Sequence, residues 1–251
     1  MKKIISFIFI IFLISCSDIV SDYEEQEEIL DYEEYLYQGW NAFEAVNLDE
    51  ISQDSSSTYY YNFALGMFDA SVQAIDYEFN SQNLIGPYYK SYNGIGWTQL
   101  YYSSEFLEPE FHYKRDSLRQ ESKIYFDKSL FSLNSQSSNS NIISKDKCDT
   151  YSGLAYLHYY NGLDTFFFDS SLMFSENLLN ECSFYDFAHD ELDFRNIHYL
   201  KGKIYLFQNN YSQACVAINE ALDEIGCSCI DSEDIDVNIL LDCFDMFSNG
   251  N

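Results

Sequence analysis

His198-Tyr199-Leu200-Lys201-Gly202-Lys203 is followed, across Asn209-Asn210-Tyr211, by Ala214, Ile218, Ala221 and Leu222. One helical turn separates His198 from Gly202, so both lie on one face of a helix. The offsets of 4, 7 and 8 from Ala214 trace one stripe of a second, amphipathic helix. Small residues alternate with large ones along that stripe, so it can nest against the first helix, and the small Gly202 lets the two approach closely.

Three earlier segments share the pattern. Tyr35-Leu36-Tyr37-Gln38-Gly39-Trp40, Tyr92-Asn93-Gly94-Ile95-Gly96-Trp97 and Tyr151-Ser152-Gly153-Leu154-Ala155-Tyr156 each place a small residue one turn after an aromatic. The downstream stripes are Ala64, Phe68, Ser71, Val72, then Ser122, Phe126, Ser129, Leu130, then Ser170, Phe174, Asn177, Leu178. The small residues Gly39, Gly96, Ala155 and Gly202 are spaced by 57, 59 and 47 residues. The excess over a compact hairpin falls in polar runs at Asp49 to Thr58, Glu105 to Lys114, Ser132 to Lys147 and Asn180 to Glu191, read as long loops.

The fourth copy resembles a tetratricopeptide repeat: His198, Gly202, Tyr205, Asn209-Asn210-Tyr211, Ala214, Ile218 and Ala221 match its spacing, with His198 at the usual Trp and Lys201 at the usual Leu. That family repeat is helix–turn–helix and 34 residues long, so the first three copies are longer variants of it. The resemblance covers residues 32–225 and implies an all-α solenoid of about four helical hairpins. Ile235, Val237, Ile239, Leu240, Leu241, Phe244 and Phe247 mark one further helix within residues 226–251, as a cap on the open end or a disulfide-tied tail. Only 2 Pro and 10 Gly in 251 residues agree with long helices.

The N-terminus carries an address. Lys2-Lys3 precede an apolar run from Ile4 to Ile14, too short for a bilayer span and suited to a secretory signal over residues 1–15. Leu13-Ile14-Ser15-Cys16 resembles the bacterial lipoprotein signal, which implies cleavage before Cys16 and several acyl chains on it, enough for stable anchoring. Residues 16–31 hold Asp18, Asp22, Glu24, Glu25, Glu27, Glu28 and Asp31 and no basic residue, the composition of a self-repelling tether. The net charge of −28 excludes nucleic acid as a default partner and repels an anionic leaflet. The expected location is the cell envelope, by lipid anchor to the outer membrane, on its periplasmic face or at the surface.

Six cysteines remain: Cys148, Cys182, Cys215, Cys227, Cys229 and Cys243. An even number in an exported chain suggests disulfides, with fifteen possible pairings. Cys215 lies on a helix face and reads as a buried free thiol. Signatures of catalysis are missing: there is no phosphate loop, dinucleotide fingerprint or nucleophile elbow. His189-Asp190-Glu191 with His198 lacks metal-site spacing, and the acids Asp231, Glu233, Asp234 and Asp236 lack the Gly and spacing of an EF-hand. No cofactor, metal or enzymatic activity is expected.

What remains is a binding face. The family resemblance implies that the first helix of each hairpin lines a concave groove, which assigns Trp40, Trp97, Tyr101, Tyr156, Tyr160, Tyr199 and Lys203 to it. Such aromatics offer rigid contact area with a polar tip. The expected role is a non-catalytic module holding a protein or peptide partner. The alternatives are an outer-membrane or pilus assembly factor, or a glycan-capture lipoprotein beside an outer-membrane transporter.

Overall fold

The computed structural model describes residues 31–46, 57–82, 85–136, 140–182, 192–222, 227, 229 and 236–250. The signal over residues 1–15, Cys16 and the tether through residue 30 lie outside them, as do His189, Asp190, Glu191 and the acids at 231, 233 and 234. Among the described residues all regular structure is helical: α1 (Tyr32–Glu44), α2 (Ser57–Asn80), α3 (Tyr88–Ser103), a 3-10 turn (Pro109–Phe111), α4 (His112–Ser135), α5 (Ser140–Thr165), α6 (Asp169–Glu181), α7 (Phe194–Phe207), α8 (Tyr211–Leu222) and α9 (Val237–Gly250). No helix is long and apolar enough to cross a membrane among these residues.

Both prolines stand at helix starts, where a missing N–H costs nothing: Pro87 caps α3 and Pro109 opens the turn before α4. At α7 the Asp193 carboxylate accepts the Asn196 N–H at 3.2 Å, and the Asn196 side chain accepts the Asp193 N–H at 2.8 Å, a reciprocal cap. Asn209, in the turn after α7, takes a left-handed φ of 57°, a conformation Asn tolerates.

The run from Ser132 to Lys147 is less loop than expected, whereas residues 49–56 and 183–191 of the first and last polar runs lie outside the described residues. α4 continues to Ser135 and α5 starts at Ser140, so most of Ser132 to Lys147 is helix. Ser132 and Leu133 are buried in the last turns of α4, and that apolar contact extends the helix through serine-rich sequence. The extra length of the first three copies thus goes largely into helices of 24, 24 and 26 residues, α2, α4 and α5.

α1 packs on α2, α3 on α4, α5 on α6 and α7 on α8; α2 then meets α3, α4 meets α5, α6 meets α7 and α8 meets α9. The odd-numbered helices also touch in succession, α1 with α3, α3 with α5, and α5 with α7. Glycines set these distances. A Cβ on Gly39 would stand 2.7 Å from the Phe68 ring, and one on Gly94 would fall closer still to the same ring. Phe126 is held in the same way between Gly96 and Gly153. Each phenyl ring, 0 % exposed, fills the space left by two missing side chains. Hydrogen bonds recur with the rings. Ser71 Oγ donates to Tyr32 O at 3.0 Å and lies 2.9 Å from Ser91 Oγ. Ser129 Oγ donates to Tyr89 O at 3.0 Å and lies 2.9 Å from Thr150 Oγ1.

The third copy departs from its expected register. In α6 the buried residues are Ser171, Ser175 and Leu178, while Phe174 is half-buried and stacks on His158. Ser171 Oγ donates to Ala155 O at 2.7 Å, as Ser122 Oγ donates to Gly96 O at 2.8 Å, which fixes the true alignment. The positions holding Gly, Phe and Gly at the earlier junctions therefore hold Ala155, Ser175 and Leu200. With larger residues on both flanks, no room is left for a ring, and Phe174 turns aside.

The six cysteines form Cys148–Cys182, Cys215–Cys229 and Cys227–Cys243. Cys215 is therefore not a free thiol: its helix face is buried because Cys229 and the tail close over it. The first bond joins the start of α5 to the end of α6, and the third ties α9 to the segment after α8. α9 packs on α8 and is tied by Cys227–Cys243, and its Phe244 ring lies where a Cβ on Gly202 would be 2.9 Å away.

Candidate functional site

Two cavities open among the odd-numbered helices. The first, about 250 Å³, is lined by Glu33, Leu36 and Trp40 of α1, Lys90 and Asn93 of α3, and Asp146 of α5. The second, about 280 Å³, is lined by Tyr156, Tyr159 and Tyr160 of α5, Asn196, Tyr199, Leu200 and Lys203 of α7, and Phe247 and Ser248 of α9. Rings connect the two regions: Trp40 to Phe43 at 5.6 Å, Phe43 to Tyr101 at 5.2 Å, Tyr101 to Trp97 at 5.8 Å, Trp97 to Tyr156 at 6.2 Å.

Five of the seven residues assigned to the groove line a cavity: Trp40 the first, Tyr156, Tyr160, Tyr199 and Lys203 the second. Tyr101 is half-buried between the two and lines neither. Trp97 is a correction. It is 0 % exposed, its ring edge-on to Phe126 at 5.7 Å. Gly96 precedes it, and the close approach of α4 allowed there closes protein over the indole. It braces the row of rings and lines neither cavity.

The cavities differ in charge. In the first, burial pushes the Asp146 carboxyl up to about 6; the Asp149 carboxylate adds to this, and the Lys90 and Lys145 ammonium groups oppose it. Beneath it runs a buried polar network: Asn93 Nδ2 donates to Asp149, and Thr150 Oγ1 donates to Asn93 Oδ1 at 3.3 Å. In the second cavity burial lowers the Lys203 ammonium below its ordinary range. Its Nζ lies 5.2 Å from the Tyr199 ring centroid and 5.5 Å from that of Tyr159, with no carboxylate at ion-pair distance among the described residues. Burial raises the Tyr156 hydroxyl well above its usual range and Tyr159 to about 12, so both stay protonated donors. Tyr199 Oη and Ser248 Oγ are 2.5 Å apart. Tyr160 is held from behind by Arg119, whose Nη1 donates to its carbonyl at 3.2 Å and to Asp164 Oδ2 at 2.8 Å.

Such cavities can hold side chains or rings and offer them few, fixed polar groups. No group of three or more His, Cys, Asp or Glu is arranged to hold a metal ion among the described residues. His198 turns to α8, its Nδ1 2.7 Å from Glu220 Oε2.

Sequence reasoning missed Lys90, Asp146, Tyr159, Phe247 and Ser248. Asp146 fell in a run read as loop. Phe247 and Ser248 come from a tail whose docking depends on the cysteine pairing. Compared with known proteins, the chain matches no family model, no curated protein and no solved structure.

Proposed function

We propose that the chain is a lipid-anchored, non-catalytic binding module of the bacterial cell envelope, a solenoid of four tetratricopeptide-like hairpins that holds an extended protein or peptide along its odd-numbered helices. The observation that carries this reading is the pair of cavities among α1, α3, α5, α7 and α9: Trp40 lines the first, and Tyr156, at the matching position two hairpins on, lines the second with Tyr160 and Tyr199. The pairwise packing of α1 to α8 and the contacts between successive odd-numbered helices support the solenoid. An extended partner places side chains in both cavities, with apolar or aromatic groups against Trp40 and Tyr199. Cys16 supplies the anchor and the acidic tether holds the body off the outer membrane.

A photo-cross-linking residue at Trp40 or at Tyr199 is expected to capture the same protein in intact cells, and one at Val216, exposed on α8, none. Equal capture from Val216, or none from the two cavities, breaks the reading. For the anchor, Cys16→Ala is expected to leave the protein soluble in the periplasm or as unprocessed precursor. A mature Cys16→Ala protein that stays with membranes through high salt and carbonate refutes it.

A further inference from the structure

A third cavity shares no residue with the other two and is larger, about 620 Å³. It lies between α3 and α4, walled by Ile85, Tyr88, Tyr92, Ile124 and Phe131, with Asp127, Lys128, Ser132 and Ser135 as its polar members. Its size and apolar lining are those of a small-molecule site, which spans roughly 300–1,000 Å³. Ile85, Ile124 and Phe131 are exposed, Phe131 by 76 %, although α4 has a wholly solvated face to offer.

Most of its polar groups are already engaged. Tyr88 Oη donates to Asp76 Oδ1 at 2.7 Å, Asp127 pairs with Lys123 at 2.6 Å, and Ser135 Oγ donates to Phe131 O at 2.9 Å. Two are not. Ser132, 8 % exposed, has a hydroxyl with no hydrogen-bond partner. Among the described residues Lys128 is the one cation in the lining, its Nζ 4.5 Å from the Tyr125 ring centroid and 5.5 Å from that of Tyr92, with no described carboxylate at ion-pair distance. A cation held against ring faces, with the Asp69 carboxylate acting on it from beyond ion-pair distance, is notable in a chain of net charge −28, and a buried unsatisfied hydroxyl carries a desolvation cost that a ligand acceptor would offset.

We propose that this cavity binds a hydrophobic monocarboxylate, its apolar body against Tyr88, Tyr92, Ile124 and Phe131 and its carboxylate between the Lys128 ammonium and the Ser132 hydroxyl. Charge selects the headgroup. One ammonium matches one negative charge, whereas a dianion meets the neighbouring Asp127 and Asp69 carboxylates.

Decanoate is the probe, with decylamine and decanol as controls of equal chain length. The titrations use the full chain with Cys16→Ser, which carries no acyl group of its own, followed by calorimetry. Decanoate is expected to bind saturably at one site, and decylamine not to bind. Lys128→Met keeps the stem and removes the charge; it is expected to weaken decanoate about tenfold, as loss of a charge-assisted hydrogen bond does, and to leave decanol unchanged. Ser132→Ala is expected to weaken decanoate by about threefold. The proposal is overturned by absent or non-saturable decanoate binding, by equal affinity for decylamine, or by Lys128→Met with undiminished decanoate affinity. Sedimentation giving a dimer that Phe131→Glu disrupts, without decanoate binding, assigns the cavity to a second copy of the chain instead.

Discussion

The junctions at Phe68 and Phe126 and the junction at Ser175 solve one packing problem in two ways. At the first two, glycines on both flanking helices leave a gap and a phenyl ring fills it. At the third, Ala155 and Leu200 occupy that space themselves and the residue between them shrinks to serine. Volume is conserved while its source moves from one helix to another, as close packing demands. Further along, disulfides take over: all three bonds lie beyond residue 147, and α1 to α4 have no cysteine at all. The N-terminal half is fastened by interdigitation and the C-terminal half by covalent ties over smaller contacts.

The sharpest test of that contrast is large-to-small substitution at equivalent positions. Phe126→Ala is expected to cost about 3–5 kcal/mol in chemical denaturation, because the ring is fully buried and the glycines around it cannot expand into the cavity. Ser175→Ala removes only a hydroxyl bonded within its own helix, to Ser171 O, and is expected to change stability by less than about 1 kcal/mol. Comparable losses at the two sites would end the account of a volume exchange.

Removing the last tie should have a smaller and local effect. Cys227 and Cys243 are 16 residues apart, and closing a loop of that size stabilises by about 3 kcal/mol. In a Cys227→Ser/Cys243→Ser variant, hydrogen exchange is expected to quicken in α8 and α9 while amides of α3 and α4 keep their protection. Uniform acceleration through α1 to α4 would mean that both halves unfold as one unit and that the ties serve the whole molecule.

The difference between the halves also governs how much could be read from sequence. Gly39, Gly96 and their downstream stripes were legible because the partners of each helix lie next in the chain. Helical periodicity then reports directly on packing. The third stripe was misplaced by one residue because the offsets of 4, 7 and 8 can be laid from Ser170 or from Ser171, and only the packing of α6, which buries Ser171, Ser175 and Leu178, decides between them. Trp97 and Trp40 occupy the same position in successive copies, yet one is sealed and the other lines a cavity. Trp97 meets Phe126 of α4 and Tyr156 of α5, whereas Trp40 meets Phe43 and Phe68 and keeps part of its ring at the first cavity. The second cavity was legible in Tyr156, Tyr160, Tyr199 and Lys203, but its wall of Phe247 and Ser248 depends on cysteine pairing that spacing alone leaves open among fifteen arrangements.

The smallest expected effect concerns charge in the tightly packed half. Asp146 sits at the first cavity with its carboxyl pushed up to about 6 by burial first and Asp149 second, against an ordinary value of 3.8. A carboxyl raised in the folded state binds its proton more tightly there than in the unfolded chain. Its contribution to stability is therefore fully present below about pH 4, declines as pH rises through 6, and is constant beyond. The size is at most about 3 kcal/mol, reduced by whatever solvent reaches the half-buried group. Asparagine is isosteric and does not titrate. The stability of the native chain minus that of Asp146→Asn, measured by urea denaturation from pH 4 to 7, should therefore fall with rising pH. Lys90 and Lys145 favour the charged form, and were they to dominate Asp149 and burial, the difference would rise instead. A flat or rising difference would show that water, or the two lysines, already compensates the charge. The first cavity would then be an open polar surface, and only the tyrosine-lined cavity would remain as a desolvated place for a partner's side chain.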